Sequence, residues 1–442
     1  MTAGRRKYLQ ALGIATLGGI AGCSSDNSQT TPAENTNANT DTLSPETGQQ
    51  TSTITPTRTL TPTVQPTASP ESIDQTQSKK LLPHDGDKKD TFGSGLAVSE
   101  DGNTVFIAAP SDLPNGSVYV FSREGGAWDE KVKFRPNEGE SYNNFGNLIE
   151  LSTNGTTALV YGGVGDPGGA YVFSSEGGTW GQQAKLSPGE VYGSTIELSG
   201  DGTTALVTNT SDGTNGEYSG ATYVFSQEGE TWNRQAKLVA DDLSRGDNFG
   251  YQAELSEDGD TALIAGGDSV YMFSREGGTW TQQADVAGDG WPAGQGMAEF
   301  SEDGTTVLMS DPKWNSDRPG VVYVISREGT ELTQEATLLA DDGDSADSFG
   351  FVDLSRDGTL ALIGASRDDD PNGEDAGSAY LFKRGKSSWT QQAKLVPDDG
   401  KKHDMFGGRV AVSGDGTTAI VSSPIANEPN GLKSGAAYVF DL

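Results

Sequence analysis

Residues 249–284 read FGYQAELSEDGDTALIAGGDSVYMFSREGGTWTQQA. The stretch opens on an aromatic-glycine pair, Phe249-Gly250, and turns at Ser256-Glu257-Asp258-Gly259. It continues through Thr261-Ala262-Leu263-Ile264 into a β-rich run centred on Tyr271, and closes on a strand carrying Trp280. Asp-Gly between short apolar runs is a hairpin signal, and runs this short and this β-branched or aromatic read as strands. The stretch is therefore four consecutive antiparallel strands.

The same grammar recurs along the chain. The Ser-x-Asp/Asn-Gly turn appears seven times, ending at Gly102, Gly155, Gly202, Gly259, Gly304, Gly358 and Gly416. Aromatic-glycine pairs precede it at Phe92, Phe145, Tyr192, Phe249, Phe349 and Phe406, whereas the fifth repeat has Gly294-Gln295. The third-strand tyrosines are Tyr119, Tyr171, Tyr223, Tyr271, Tyr323, Tyr380 and Tyr438. Each of the first six is followed nine residues later by Trp128, Trp180, Trp232, Trp280, Leu332 or Trp389. The register of these tryptophans assigns them to packing. The stretch from turn to tyrosine is shortest in the fourth repeat and longest in the sixth and seventh, so one end of each unit is scaffold and the other carries the differences.

Four-stranded units of this length stack radially, each sheet covering its neighbour's apolar face. The expected fold is all-β, a seven-bladed propeller over residues 75–442. The seventh repeat stops within its third strand, at Phe440. Lys80-Leu81-Leu82-Pro83-His84-Asp85-Gly86 aligns without gaps on Lys394-Leu395-Val396-Pro397-Asp398-Asp399-Gly400. An N-terminal strand near Lys80 is thus expected to complete the last blade and close the ring.

The aromatic-glycine pair, the turn and Ala108-Ala109-Pro110 together resemble the FG-GAP repeat of integrin α-subunit propellers. That resemblance implies a ring-shaped adhesion or ligand-binding module and implies no chemistry. Repeats of this type often hold calcium between strands one and two. Here the turn's third position is Ser, the first is Ala97, Glu150, Glu197, Glu254, Glu299, Asp353 or Ala411, and the ninth is always apolar. Calcium wants six to eight oxygens, so the turns read as metal-free hairpins. The five acids are expected to line a wet central channel. The better calcium candidate is Asp368, Asp370 and Asn372, in Asp368-Asp369-Asp370-Pro371-Asn372-Gly373.

Residues 1–22 resemble a twin-arginine signal peptide of haloarchaeal lipoprotein type. Arg5-Arg6-Lys7-Tyr8-Leu9 precedes an apolar stretch of signal-core length, and Ile20-Ala21-Gly22-Cys23 looks like a lipobox. Cys23, the only cysteine, is the expected lipidation site and membrane attachment, placing the protein at the outer face of the cytoplasmic membrane. Residues 23–74, rich in Thr, Pro and Ser, read as a disordered, O-glycosylated stalk. A formal charge of -33, from 63 acids against 30 bases, excludes nucleic acid as a partner and matches the surfaces of proteins from salt-loving organisms.

Strand order brings the loops between strands two and three, and those between blades, to a single face. Recognition of a protein or glycan is expected there, through Trp291, Trp314, Tyr218, Asp342 and Asp399. Asn115, Asn154 and Asn209 begin N-glycosylation sequons. No nucleophile elbow, metal-spaced histidines or phosphate loop occurs, and His84 and His403 are duplicates of one loop position. The expectation is a non-catalytic surface binding module. The alternatives are a carboxylate-based hydrolase outside the cytoplasm and a purely structural envelope protein.

Overall fold

The computed structural model describes residues 77–137, 144–162, 169–189, 195–267, 269–287, 297–311, 320–329, 331–386, 388–427 and 430–442. Cys23, the stalk, Trp291, Trp314, Tyr192-Gly193 and Gly294-Gln295 lie outside these residues. Among the described residues, no helix is long and apolar enough to cross a membrane.

The strands form seven antiparallel four-stranded sheets. Six are consecutive in sequence. The first comprises β2 (Gly95–Val98), β3 (Thr104–Ala109), β4 (Ser117–Glu124) and β5 (Ala127–Phe134). The seventh comprises β1 (Gln77–Leu81), β28 (Ala436–Asp441), β27 (Thr418–Ser423) and β26 (Arg409–Val412) in that order; β1 pairs with β28, placing Lys80 opposite Tyr438 and Leu81 opposite Ala437. The N-terminal strand therefore completes the last blade, as the alignment of Lys80 with Lys394 predicts. The first strands of successive blades touch around the ring, from β2 and β6 (Ile149–Leu151) through to β26 (Arg409–Val412) and back to β2. They are the innermost strands and line the axis.

Apolar side chains collect in seven clusters, one at each seam between neighbouring blades. At the seam of blades one and two, Trp180 meets the Phe106 ring edge-on at 5.0 Å and stacks on Phe134 at 5.9 Å. Trp128, Trp232, Trp280 and Trp389 lie in other seam clusters, so the five repeated tryptophans are packing residues.

The phenylalanine-glycine pair works across a seam. Phe406 is fully buried against Tyr438 and Phe440 of its own blade. Its N–H donates to the Ala376 carbonyl of the preceding blade at 2.9 Å, while Gly407 N–H donates to the Ser422 carbonyl at 3.0 Å. Phe92 and Phe249 make the equivalent bonds to Ser434 and Ser219. The next residue of the preceding blade, Gly377, has φ +85° and would bring a Cβ to 2.0 Å from the Phe406 carbonyl oxygen. Backbone rather than side chain occupies that space, so relief requires the seam to open.

Gly377→Ala is expected to cost about 2–3 kcal/mol, read as a lowered urea midpoint. Gly125 also has positive φ (+58°), but a Cβ added there would meet nothing within 4 Å, so Gly125→Ala should cost clearly less. Equal losses would show that φ strain, not the seam, is responsible.

Candidate functional site

Two ends of the ring differ in kind. At one end lie the seven Ser-x-Asp/Asn-Gly turns, all built alike. In the first, Ser99 Oγ donates to Asp101 Oδ1 at 2.7 Å, Asn103 N–H donates to the same oxygen at 3.0 Å, and Thr104 N–H donates back to Ser99 Oγ at 3.0 Å. The other six repeat the serine-to-turn bond from Ser152, Ser199, Ser256, Ser301, Ser355 and Ser413. Burial alone would raise Asp101, Asp201, Asp303, Asp357 and Asp415, but these bonds outweigh it and hold their carboxyls below the usual value.

At the ninth position of the repeat, Val105, Ala158, Ala205, Ala262, Val307, Ala361 and Ala419 are all fully buried. The turn oxygens are thus taken by the chain's own donors, and a methyl group stands where a further ligand would be needed. These residues do not fit calcium.

The x residues of the turns bond to one another from blade to blade. Thr153 N–H donates to Gly200 O at 2.9 Å, Gly200 N–H to Glu257 O at 2.9 Å, Glu302 N–H to Arg356 O at 2.9 Å, and Arg356 N–H to Gly414 O at 3.1 Å. Arg356 also reaches Glu302 at 2.5 Å, Glu100 at 3.4 Å and Glu257 at 3.5 Å. One guanidinium therefore ties four blades together. The hydrogen bond to Glu302, foremost, holds Arg356 above its usual range. Sequence reasoning did not single out Arg356, because its position in the turn is otherwise filled by Glu, Thr or Gly.

On the innermost strands next to these turns lie Glu150, Glu197, Glu254, Glu299 and Asp353, one from each of blades two to six. Burial first, and then repulsion from one another, pushes the glutamates up: Glu150 to about 8, and Glu197, Glu254 and Glu299 well above the usual value. Burial also raises Asp353, to about 6, although Val412 N–H (2.6 Å) and Leu354 N–H (2.8 Å) donate to it. The ring is legible in the sequence; in the fold Glu254 is buried, whereas Glu150, Glu197, Glu299 and Asp353 are half-buried.

The opposite end carries the loops between strands two and three and the connections between blades. Here the acids are clamped by tyrosine and lysine. Tyr380 OH donates to Asp342 Oδ1 at 2.9 Å and to Asp368 Oδ2 at 2.7 Å, and Lys394 Nζ pairs with the same two carboxylates at 2.7 and 2.8 Å. Ser378 Oγ donates to Asp368 at 2.5 Å. Asp85 and Asp112 are held in the same way by Tyr119 and Lys133, and Asp212 by Tyr223 and Lys237. Lys80 pairs with Asp399 at 2.6 Å. Burial opposes ionisation of Asp212, yet its hydrogen bonds from Lys237, Thr214 and Tyr223 prevail and hold it at about 2.

Of the ligand-face residues expected from sequence, Asp342 and Asp399 are therefore engaged within the fold, whereas Tyr218 is exposed. Of the calcium candidates, Asp368 is buried and directed at Tyr380 and Lys394, Asp370 is exposed, and Asn372 is half-buried beside Gly400. Asn115 lies in the loop between β3 and β4. Asn154 caps its turn through Oδ1, and Asn209, at the end of β11 (Thr204–Asn209), is buried with Oδ1 accepting from Ser211. The exposed large apolar side chains among the described residues, Leu113, Tyr218, Leu339 and Leu432, all lie at this end. A cavity of about 30 Å³ between blades four and five, lined by Leu263, Val270, Met297 and Met309 among others, has room for little more than water.

The FG-GAP repeat family model matches residues 75–121, 332–382 and 389–440. The first two matched stretches begin in the outer strand of one blade and run through three strands of the next, the same phase that closes the ring, and the third does likewise from Trp389. No curated protein matches the chain. Among solved structures, the β-propeller domain of Cps50 (Swd1) from Myceliophteria thermophila is similar with a TM-score of 0.56 at 12% identity, over 83% of this chain and 99% of that one. Kuenenia stuttgartiensis hydrazine synthase is similar with a TM-score of 0.55 at 15% identity, over 81% of this chain and 98% of that one. At these identities the likeness is one of fold alone. The chain carries FG-GAP repeats in a seven-bladed propeller.

In buffer free of divalent cations, Glu254→Gln is expected to stabilise the protein at pH 8 by about 1 kcal/mol or more. The folded state holds the Glu254 proton to higher pH than the unfolded chain does. The contribution of Glu254 to stability is therefore full below about 4.5, the ordinary glutamate value, and is lost as pH rises through its raised value. The gain should vanish near pH 4, as thermal melts at the two pH values would show.

Proposed function

We propose that the protein is a lipid-anchored, non-catalytic binding module of the cell surface, recognising a protein or glycan through the loop end of the propeller. The observation that carries this reading is the asymmetry of the two ends. All the exposed large apolar side chains among the described residues lie at the loop end, while the turn end is built of hairpins whose polar groups bond to one another. Varied loops on a rigid scaffold are suited to recognition.

The direction of β1 supports display. Gln77 pairs with Phe440 and lies at the turn end, whereas Leu81 runs towards the loop end. A tether reaching back to Cys23 would join the propeller at the end opposite the loops. Export would follow from the twin-arginine signal and attachment from the lipidated Cys23, with residues 23–74 as the spacer. Asn115 belongs to a loop at the binding end, where a glycan would modulate access.

Two measurements test this. Cys23→Ser should move the protein from the membrane fraction to the medium without changing its melting temperature. In the Cys23→Ser background, which removes the lipid, Leu113→Asp combined with Leu432→Asp should reduce retention on envelope fragments roughly tenfold or more, with a Lys131→Asp control on an outer strand retaining binding. If the loop and control variants bind alike, recognition does not use the loop end.

A further inference from the structure

At the loop end, the loop between strands two and three of blade six meets the connection from blade six to blade seven. Three backbone bonds join them. His403 N–H donates to the Glu374 carbonyl at 2.9 Å, Met405 N–H to that of Asp375 at 3.1 Å, and Phe406 N–H to that of Ala376 at 2.9 Å. The same ladder recurs at two other seams. Lys89, Thr91 and Phe92 donate to Leu432, Lys433 and Ser434, and Gly246, Asn248 and Phe249 donate to Glu217, Tyr218 and Ser219. His403, Lys89 and Gly246 hold equivalent places, all at positive φ, so Lys89 rather than His84 is the counterpart of His403 in the fold.

The backbone is shared by these seams and the side chains differ. One seam presents Leu432, Lys433 and Lys89, another Glu217, Tyr218 and Gly246, and the seam of blades six and seven Glu374, Asp375 and His403. The ligand atoms of these last three lie within 4.8 Å of one another, the one such group of acid and histidine side chains among the described residues. His403 Nδ1 stands 3.5 Å from Asp375 Oδ2, close to the roughly 3.4 Å that separates two ligands on a tetrahedral zinc ion. The Asp375 N–H donates to Asp369 Oδ1 at 2.8 Å, which fixes the loop further. Lys402 Nζ pairs with Glu374 Oε2 at 2.6 Å, with both side chains more than half exposed. An ion pair so open to water is weak and yields to a metal ion.

We propose that Glu374, Asp375 and His403 bind a divalent transition-metal ion of the zinc type, which clips the loop of blade six to the connection into blade seven. An imidazole beside two carboxylates suits zinc and its neighbours, whereas calcium and magnesium are bound through oxygen. Three protein ligands leave a further coordination position to water. The site is separate from the calcium candidates Asp368, Asp370 and Asn372, because Asp368 is directed at Tyr380 and Lys394. Side chains presented by a backbone that two other seams also build are held in place before the ion arrives.

The test uses the untagged full-length chain in the Cys23→Ser background, which removes its only thiol, in high salt with excess calcium to occupy the general acidic surface. Zinc should bind at one tight site, and cobalt(II) should fill the same site with a visible d–d absorption band. His403→Ala and Asp375→Asn should each weaken zinc binding roughly tenfold or more and remove the cobalt band. Neither should alter the metal-free melting temperature. Ala346, three residues before Phe349 as His403 is before Phe406, already holds the equivalent place at φ +74°, and Asn tolerates positive φ. His84→Ala removes the other histidine, which pairs with Glu130, and should bind zinc as the parent does. The proposal is overturned if His403→Ala binds zinc as tightly as the parent, if the loss follows His84 instead, or if excess calcium abolishes the binding.

Discussion

The pairing of β1 with β28 is the constraint on which the molecule rests. It joins the two ends of the propeller: the Ser78 hydroxyl donates to the carbonyl of Val439, 361 residues away in sequence. Without it, β28 would be an open edge and blade seven would lack the strand that carries Lys80. Radial stacking leaves each blade stable only against two neighbours, so the seam clusters presuppose a closed ring. Where they occur, the Phe-Gly pairs then fix how closely one blade approaches the next.

The closure was legible in the sequence because the last repeat ends early and the missing strand aligns at the other end of the same propeller. The seam chemistry was less legible. The aromatic-glycine pair recurs visibly, and its partner glycine stands three residues before the repeat tyrosine at Gly116, Gly220, Gly320, Gly377 and Gly435, but only the ring brings the glycine of one blade against the pair of the next. Arg356 was hidden for a similar reason. A residue that ties together four blades occupies a position that tolerates anything in the individual turn.

The acids show how the same residue type divides into different roles. Asp342, Asp368 and Asp399 lie in strings of aspartates that, read linearly, suggest ligands. In the fold each faces a tyrosine or a lysine of a neighbouring strand, and the bonds tie the loops to the sheets. The five acids at the axis are not held by such clamps, and burial makes ionising them unfavourable. Linear sequence reports the number of carboxylates; which are compensated depends on strands brought together only by the ring.

The direction of β1 also has a mechanical meaning. Its first residue lies at the turn end, and its pairing with β28 runs along the strand. Tension between an N-terminal tether and a ligand held at the loop end would load the hydrogen bonds of this pair in parallel, in shear, rather than peel them one after another. The strand that closes the ring would then also be the element through which the propeller bears force.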